Sequence, residues 1–389
     1  MEEWKEYQLK DVTTILGDGL HGTPEYDDNG TVFFINGNNL VNGKIEIKDS
    51  TKRVSKDEAN KYKKNLTERT ILVSINGTIG NVAKYKGEAC ILGKSACYFN
   101  VADNFDLNFI YYVVASQQFK DSMTRLATGT TIKNVSLETM RNYSFPAPSI
   151  NEQKRISAVL SSLDSKIELN RRINDNLEQQ AQLLFDNLIN ASDWSTTQFL
   201  SELSEINPPR KLSKGEYAPF VEMSNMPTSG SFPSRIDYKE YNGGMKFRNG
   251  DTIMARITPC LENGKAAYVN FLKENEIGFG STEYIVLAPK KTISSSFLYF
   301  LVRNKEFVDY AVKHMNGSSG RQRVSGDTIG NYQLPILDRN KLSIFIAIAD
   351  RTLSKIRQNS FEIINLAKQR DTLLPKLMFG ELKINDLNC

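Results

Sequence analysis

Ile206-Asn207-Pro208-Pro209-Arg210 holds the Asn-Pro-Pro core used for methyl transfer to adenine, where an aromatic residue follows and stacks on the flipped base. Arg210 stands in that place, and no Gly-rich cofactor loop precedes it, so a rigid turn suits these residues better. The run from Gly87 to Gly93-Lys94-Ser95 approaches a phosphate loop, but five residues separate its glycines where four are required. Its counterpart further on, Gly280-Ser281-Thr282, lacks the lysine, and both read as entries into strands. Two histidines, His21 and His314, and four scattered cysteines, Cys90, Cys97, Cys260 and Cys389, argue against zinc sites and imidazole acid–base chemistry. No paired carboxylates, hydrolase elbow or nuclease metal cluster emerges. The chain reads as non-catalytic, with no cofactor of its own.

The chemistry that remains is hydrogen bonding and phosphate contact. Gly129-Thr130-Thr131-Ile132-Lys133-Asn134 and Gly317-Ser318-Ser319-Gly320-Arg321-Gln322-Arg323 are polar loops whose Lys133, Asn134, Arg321, Gln322 and Arg323 could reach phosphates or base edges. Asn76 and Thr78, and in parallel Arg256 and Thr258, place such groups just after an apolar run. His21, Thr23, Asn36 and Asn38 form a further polar set. Lys52 and Arg53 open a basic run through Lys56, Lys61, Lys63 and Lys64 that could track a phosphate backbone. Each of these also fits an ordinary solvated surface loop. The net charge is only +4, and residues 1–147 carry equal numbers of basic and acidic side chains. Binding to nucleic acid would therefore rest on local loops, or on a partner sharing the phosphate contacts. No run approaches the ~18 apolar residues of a membrane span, Met1-Glu2-Glu3-Trp4 is no signal peptide, and the cysteine usage suits a reducing cytoplasm.

What positions these loops is a duplication, with the chain repeating itself at a shift of about 190 residues. Trp4 matches Trp194; Leu9, Val12 and Ile15 match Leu200, Leu203 and Ile206; Thr70-Ile71 and Ile75 match Thr252-Ile253 and Ile257. Asn142-Tyr143 with Pro146 recurs as Asn331-Tyr332 with Pro335, and Ser165-Lys166-Ile167 as Ser354-Lys355-Ile356. Each copy opens with a mixed α/β domain, residues 1–147 and 194–337. Strands are expected at Val32–Ile35, Ile71–Val73, Ala96–Phe99, Thr252–Met254 and Tyr284–Leu287. One helix is expected after each last strand, Asn108–Arg125 and Ser296–His314.

Each copy then becomes a long helix, residues 148–193 and 338–389. Ser149-x-x-Glu152 forms a capping box. Core positions step by four and three through Ile156, Leu160, Leu163, Ile167, Asn170, Asn174, Leu177, Ala181, Leu184 and Leu188. The second helix repeats the rhythm through Phe345, Ala349, Thr352, Ile356, Asn359, Ile363, Leu366, Arg370, Leu373 and Leu377, with Pro375 expected to kink or loosen its end. A sustained period of 3.5 is a coiled-coil seam. Asn170, Asn174 and Asn359 sit mid-seam, where antiparallel packing would bring them together and a buried Asn fixes register. Two ordinary core helices are the alternative.

Phe145-Pro146-x-Pro148-x-Ile150-x-Glu152-Gln153-x-x-Ile156, the tail Arg370-Asp371-Thr372-Leu373-Leu374-Pro375-Lys376-Leu377-Met378-Phe379-Gly380-Glu381-Leu382 and the two-copy layout together resemble the specificity subunit of Type I restriction–modification systems, across essentially the whole chain. The second copy departs locally: Leu334-Pro335-Ile336-Leu337 lacks the second proline, and no Glu-Gln follows. The resemblance implies an α+β protein with two target recognition domains, separated by two long helices packed as an antiparallel coiled coil with pseudo-twofold symmetry. It implies that each domain reads one half of a bipartite, asymmetric site in double-stranded DNA. It further implies that the helices bind two methyltransferase subunits carrying S-adenosylmethionine, and that two restriction subunits join them. Domains held by stiff helices would suit half-sites about one DNA turn, ~34 Å, apart. Two rivals stay open at this point. One is a fused adenine methyltransferase, which S-adenosylmethionine binding by the isolated chain would favour. The other is a coiled-coil scaffold without a DNA role.

Overall fold

The computed structural model describes residues 4–129, 132–318 and 320–384. Thr130, Thr131, Ser319 and Cys389, singled out above, lie outside the described residues. Two compact units divide the chain: Met1–Ser165 with Leu366–Cys389, and Lys166–Asn365. No helix among the described residues is long and apolar enough to cross a membrane.

Each unit is built on a four-stranded antiparallel sheet with the same strand order. In the first unit the order is Thr13–Asp18, Ala96–Val101, Thr70–Ser74, Val82–Lys84. In the second it is Ser204–Ile206, Tyr284–Pro289, Thr252–Ala255, Ala266–Tyr268. Thr70–Ser74 and Ala96–Val101 are buried along their whole lengths, because both faces of the sheet are covered. Ile71, Val73, Cys97 and Phe99 point to a core completed by helical residues such as Phe109, Ile156 and Leu160. Leu72 and Tyr98 point the other way, toward Ile35 and Leu92 of an outer sheet. That outer sheet runs Arg53–Val54, Val32–Ile35, Cys90–Leu92. Its counterpart runs Asp237–Glu240, Tyr217–Val221, Gly278–Gly280, Lys246–Phe247. A two-stranded ribbon ends each domain, Lys5–Gln8 with Ser144–Ala147 and Thr197–Phe199 with Gln333–Pro335.

The register of the sheets corrects the repeat by one residue. Leu72 pairs with Tyr98 and faces the outer sheet, as Ile253 pairs with Val286 and faces the equivalent core. Val73 and Met254 share the opposite, helix-facing side. Ile253 therefore takes the place of Leu72 rather than of Ile71, and Arg256 that of Ile75. Matching Thr-Ile to Thr-Ile preserved identity but reversed the face, since side chains alternate along a strand.

The helix expected over Asn108–Arg125 is two, Leu107–Ala115 and Gln117–Leu126. Ser116 between them is extended, and its hydroxyl accepts from Phe119 N–H as an N-cap. Ser296–His314 divides in the same way into Ser295–Arg303 and Lys305–Lys313, with Asn304 capping Phe307. The break separates a segment buried from Ser296 to Val302 from an amphipathic one that turns only Phe307 and Ala311 inward.

The long helices are Ile150–Asn190 and Arg339–Met378. Glu152 engages Arg155 within the first turn, and the helical run continues through Pro375 to Met378. Within each unit their segments run antiparallel: Arg370 meets Asp164 at 2.8 Å in the first, and the rings of Phe185 and Phe345 lie 5.5 Å apart in the second. The Asp164 carboxylate, which also accepts from Tyr112, satisfies the one charged residue of the second helix's seam. The seam departs from expectation at Leu184, which is exposed, while Phe185 is fully buried. There the first helix packs on Phe297 as well as Phe345, so its inward stripe follows the 3.6-residue turn of a helix on a globular core.

Candidate nucleic-acid interface

In the first unit the chain leaves the central strand at Ser74 and turns outward through Ile75 and Asn76. Val135 N–H donates to Ile75 C=O at 2.8 Å, and Gly77 N–H to Lys133 C=O at 3.2 Å. Asn76 and Asn134 thus face each other, their side-chain amides 3.4 Å apart. Thr128 and Asn134 exchange backbone hydrogen bonds and close the glycine loop at its base. Gly129 sits at φ +103°, where a Cβ would lie 2.4 Å from Ile132 C=O, so only glycine makes this turn. Thr78 and Lys133 are exposed beside the Asn pair.

The second unit repeats this frame with other side chains. Val324 N–H donates to Arg256 C=O at 3.0 Å and Thr258 N–H to Gln322 C=O at 3.1 Å, while Asn316 and Arg323 close the loop. Ile257 and Arg323 occupy the places of Asn76 and Asn134; Thr258 therefore corresponds to Gly77, where the sequence match put it opposite Asn76. The Thr258 hydroxyl turns to Met315 sulfur, 3.9 Å away.

A third turn joins the pair in the first unit. Ser95 C=O accepts from Ile75 N–H, and its hydroxyl accepts from Gly37 N–H at 2.9 Å and donates to Asn36 Oδ1 at 2.8 Å. Asn36 is consumed in this lock, whereas Asn38 at the tip is exposed. Lys94, in the same turn, is exposed and has no ion pair among the described residues. Sequence reasoning missed it: the failed phosphate-loop match set aside the only lysine of that segment. His21 follows Leu20, which bridges Gly93, so it flanks this turn; its ring lies 2.6 Å from Asp18, and Thr23 beyond it is exposed. Lys52 and Arg53 belong instead to the outer edge strand and its approach.

The two arginines of the second loop differ in availability. Arg323 grips the Glu283 carboxylate with Nε and Nη2 at 2.7–3.0 Å, while Arg321 is exposed. The hydrogen bonds from Arg323 hold the Glu283 carboxyl below the usual glutamate range, and the charge of Arg256 adds to this. A carboxylate with a lowered folded pKa stabilises the fold above its ordinary value and loses that contribution as pH falls through the folded one. Arg256 Nε is buried with no hydrogen-bond partner among the described residues.

These loops offer donors, acceptors and cations, without a nucleophile poised beside a base. Among the described residues no cluster of His, Cys, Asp and Glu could hold a metal. Asn207, at φ +54°, accepts from Val286 N–H, and the half-buried Arg210 donates from Nη2 to both carboxylate oxygens of Asp251. The Asn-Pro-Pro segment is thus a fixed turn rather than a lip for a flipped base.

Paired polar loops stand at matching places on a duplicated α/β frame. The family profile of the Type I restriction modification DNA specificity domain matches residues 1–179 and again 192–341. The chain belongs to this family of Type I specificity subunits, the component that supplies DNA sequence recognition rather than catalysis. It is 25% identical to the Type I restriction enzyme MjaIX specificity subunit of Methanocaldococcus jannaschii, over 99% of this chain and 95% of that one. It is also 25% identical to a putative type I specificity subunit of Mycoplasma pneumoniae, over 80% of this chain and 84% of that one. The crystal structure of a Type I restriction–modification S subunit from M. genitalium shares the fold, with 20% identity, coverage of 97% and 96% and a TM-score of 0.59.

Proposed function

We propose that each unit reads one half of a bipartite, asymmetric site in double-stranded DNA through its paired loops. The observation that carries this is one backbone frame holding different side chains. Asn76, Thr78, Lys133 and Asn134 stand in the first unit, and Arg256, Thr258, Arg321 and Gln322 in the second. Constant geometry with variable donors and acceptors is what reading two different half-sites requires. His21, Thr23, Asn38 and Lys94 would contact the same half-site as Asn76, with Asn36 holding their turn. Arg323 would contact DNA only by leaving Glu283, and Lys52 and Arg53 would hold phosphates from the edge strand.

We propose further that the long helices carry two methyltransferase subunits, to which two restriction subunits join. Leu183, Leu184, Ile344 and Ile348 are exposed on the helical segments of the second unit, an apolar set with no role in its core. The test combines the purified chain with its methyltransferase partner and titrates duplexes of scrambled and native-site sequence. Selective binding by the complex, with no S-adenosylmethionine binding by the chain alone, is expected. Equal affinity for all duplexes would overturn the reading.

A further inference from the structure

The outer sheets of the two units can be aligned residue by residue. Ile35 lies beside Leu92 in parallel, as Val221 lies beside Gly280. Counting back, Phe33 corresponds to Pro219, and their antiparallel edge partners are Arg53 and Tyr238. Lys52 then corresponds to Asp237, and Val54 to Lys239. On or beside these edge strands both units set cations on aromatic rings, though at different positions. Arg53 lies 5.2 Å over Phe33, Lys52 lies 5.7 Å over Tyr26, and Lys239 lies 4.3 Å over Phe220.

The second unit adds two tyrosines. Tyr217 is 70% exposed and Tyr238 is 43% exposed, with rings 6.1 Å apart and nearly parallel. Neither belongs to a core cluster. The Tyr238 hydroxyl donates to Glu276 at 3.1 Å, which fixes the ring's direction. Lys214, just before Tyr217, and Lys239 are exposed, and neither has an ion pair among the described residues; Glu216 and Glu240 flank them. Edge strands normally carry charge to discourage pairing, but that does not call for two bare aromatic rings. Beyond Val221 the same strand enters the turn Met223–Asn225, the structural counterpart of the Gly37–Asn39 turn beside the first unit's loops.

We propose that Tyr217, Tyr238 and Lys239 form a strip that contacts the sugar–phosphate backbone of the second half-site, as Lys52 and Arg53 do for the first. The Tyr217 hydroxyl and the Lys239 ammonium bond phosphate oxygens while the two rings cover sugars, which adds affinity without reading bases. The inference rests on the proposed reading of DNA by both units. The test uses the full chain assembled with its methyltransferase partner and measures affinity for the native site against salt. Lys239→Ala, a change at an exposed side chain, should weaken binding severalfold and lower the salt slope by about one. Tyr217→Ser with Tyr238→Ser should weaken binding with the slope unchanged. In each variant the ratio of native-site to mismatched-site affinity should stay as in the wild type. Unchanged affinity and slope for Lys239→Ala overturn the strip, as does wild-type affinity of the assembled Tyr217→Ser, Tyr238→Ser complex. A wild-type complex that cannot tell the native site from scrambled DNA overturns the underlying reading, and the strip with it.

Discussion

At the scale of residues, two arginines separated by one glutamine do different work. Arg321 is exposed, whereas Arg323 is clamped by Glu283 from forty residues away. Arg321→Ala should therefore weaken DNA binding by the assembled complex without loosening the loop. If Arg321 contacts a base, selectivity at one position should relax by ~1–3 kcal/mol; if it contacts phosphate, the salt slope should fall by about one. Glu283→Gln should instead free Arg323 and shorten the loop's lifetime against protease, because the bidentate pair is lost. The polar loops themselves were legible in the sequence, since both copies place glycine, a cation and an amide at the same offset. Which cation is free was not legible, because the carboxylate that decides it lies forty residues earlier, in the turn before Tyr284–Pro289. Lys94 stayed hidden for a related reason: its turn is defined by Ser95, Asn36 and Gly37 coming together, and nothing local in the sequence announces that lock.

Among the elements, the helical seam shows what periodicity can and cannot carry. The stripe from Ile156 to Ala181 is buried or half-buried as spaced, but past Ala181 the core of the second unit, not the partner helix alone, sets the inward face, and Phe185 replaces Leu184. The paired short helices were read as single ones because Ser116 and Asn304 interrupt otherwise favourable helical pattern, and a cap residue inside such a run looks like surface. The central strands were legible because they are continuous apolar runs; their one-residue register was not. Mid-seam, Asn359 Nδ2 donates to Asn174 Oδ1 at 2.8 Å and Asn170 donates to Glu362 at 2.8 Å. Asn359→Leu alone should destabilise the chain by about 1–3 kcal/mol, by taking the donor from Asn174 Oδ1 while its Nδ2 keeps only Ser360. Asn174→Leu with Asn359→Leu should recover part of that loss, which a double-mutant cycle in denaturant would read as a clear coupling energy. A coupling near zero would show that the pair does not fix register. On the outer face, Leu183→Asp with Ile344→Asp should leave folding intact, since both side chains are more than half exposed, and should abolish co-elution with the methyltransferase partner.

For the whole molecule, the duplication is the organising fact. The same central sheet order, the same broken helix pair and the same loop bridges appear twice, with an outer sheet of three strands in the first copy and four in the second, and both long helices contribute segments to both units. Two-copy construction was visible in the sequence as an ordered series of weak matches, none of which meant much alone. Which copy faces which half-site has no signature in the chain, because the half-sites are written in side chains whose partners are bases. If the units read independently, recognition should be modular. The direct measurement is to exchange residues 1–147 for the matching domain of a related specificity subunit and map methylated adenines across the host genome. The account predicts that one half of the modified motif changes to the donor's sequence while the other half is retained. A chimera that assembles and methylates, yet changes both halves together or neither, would contradict it.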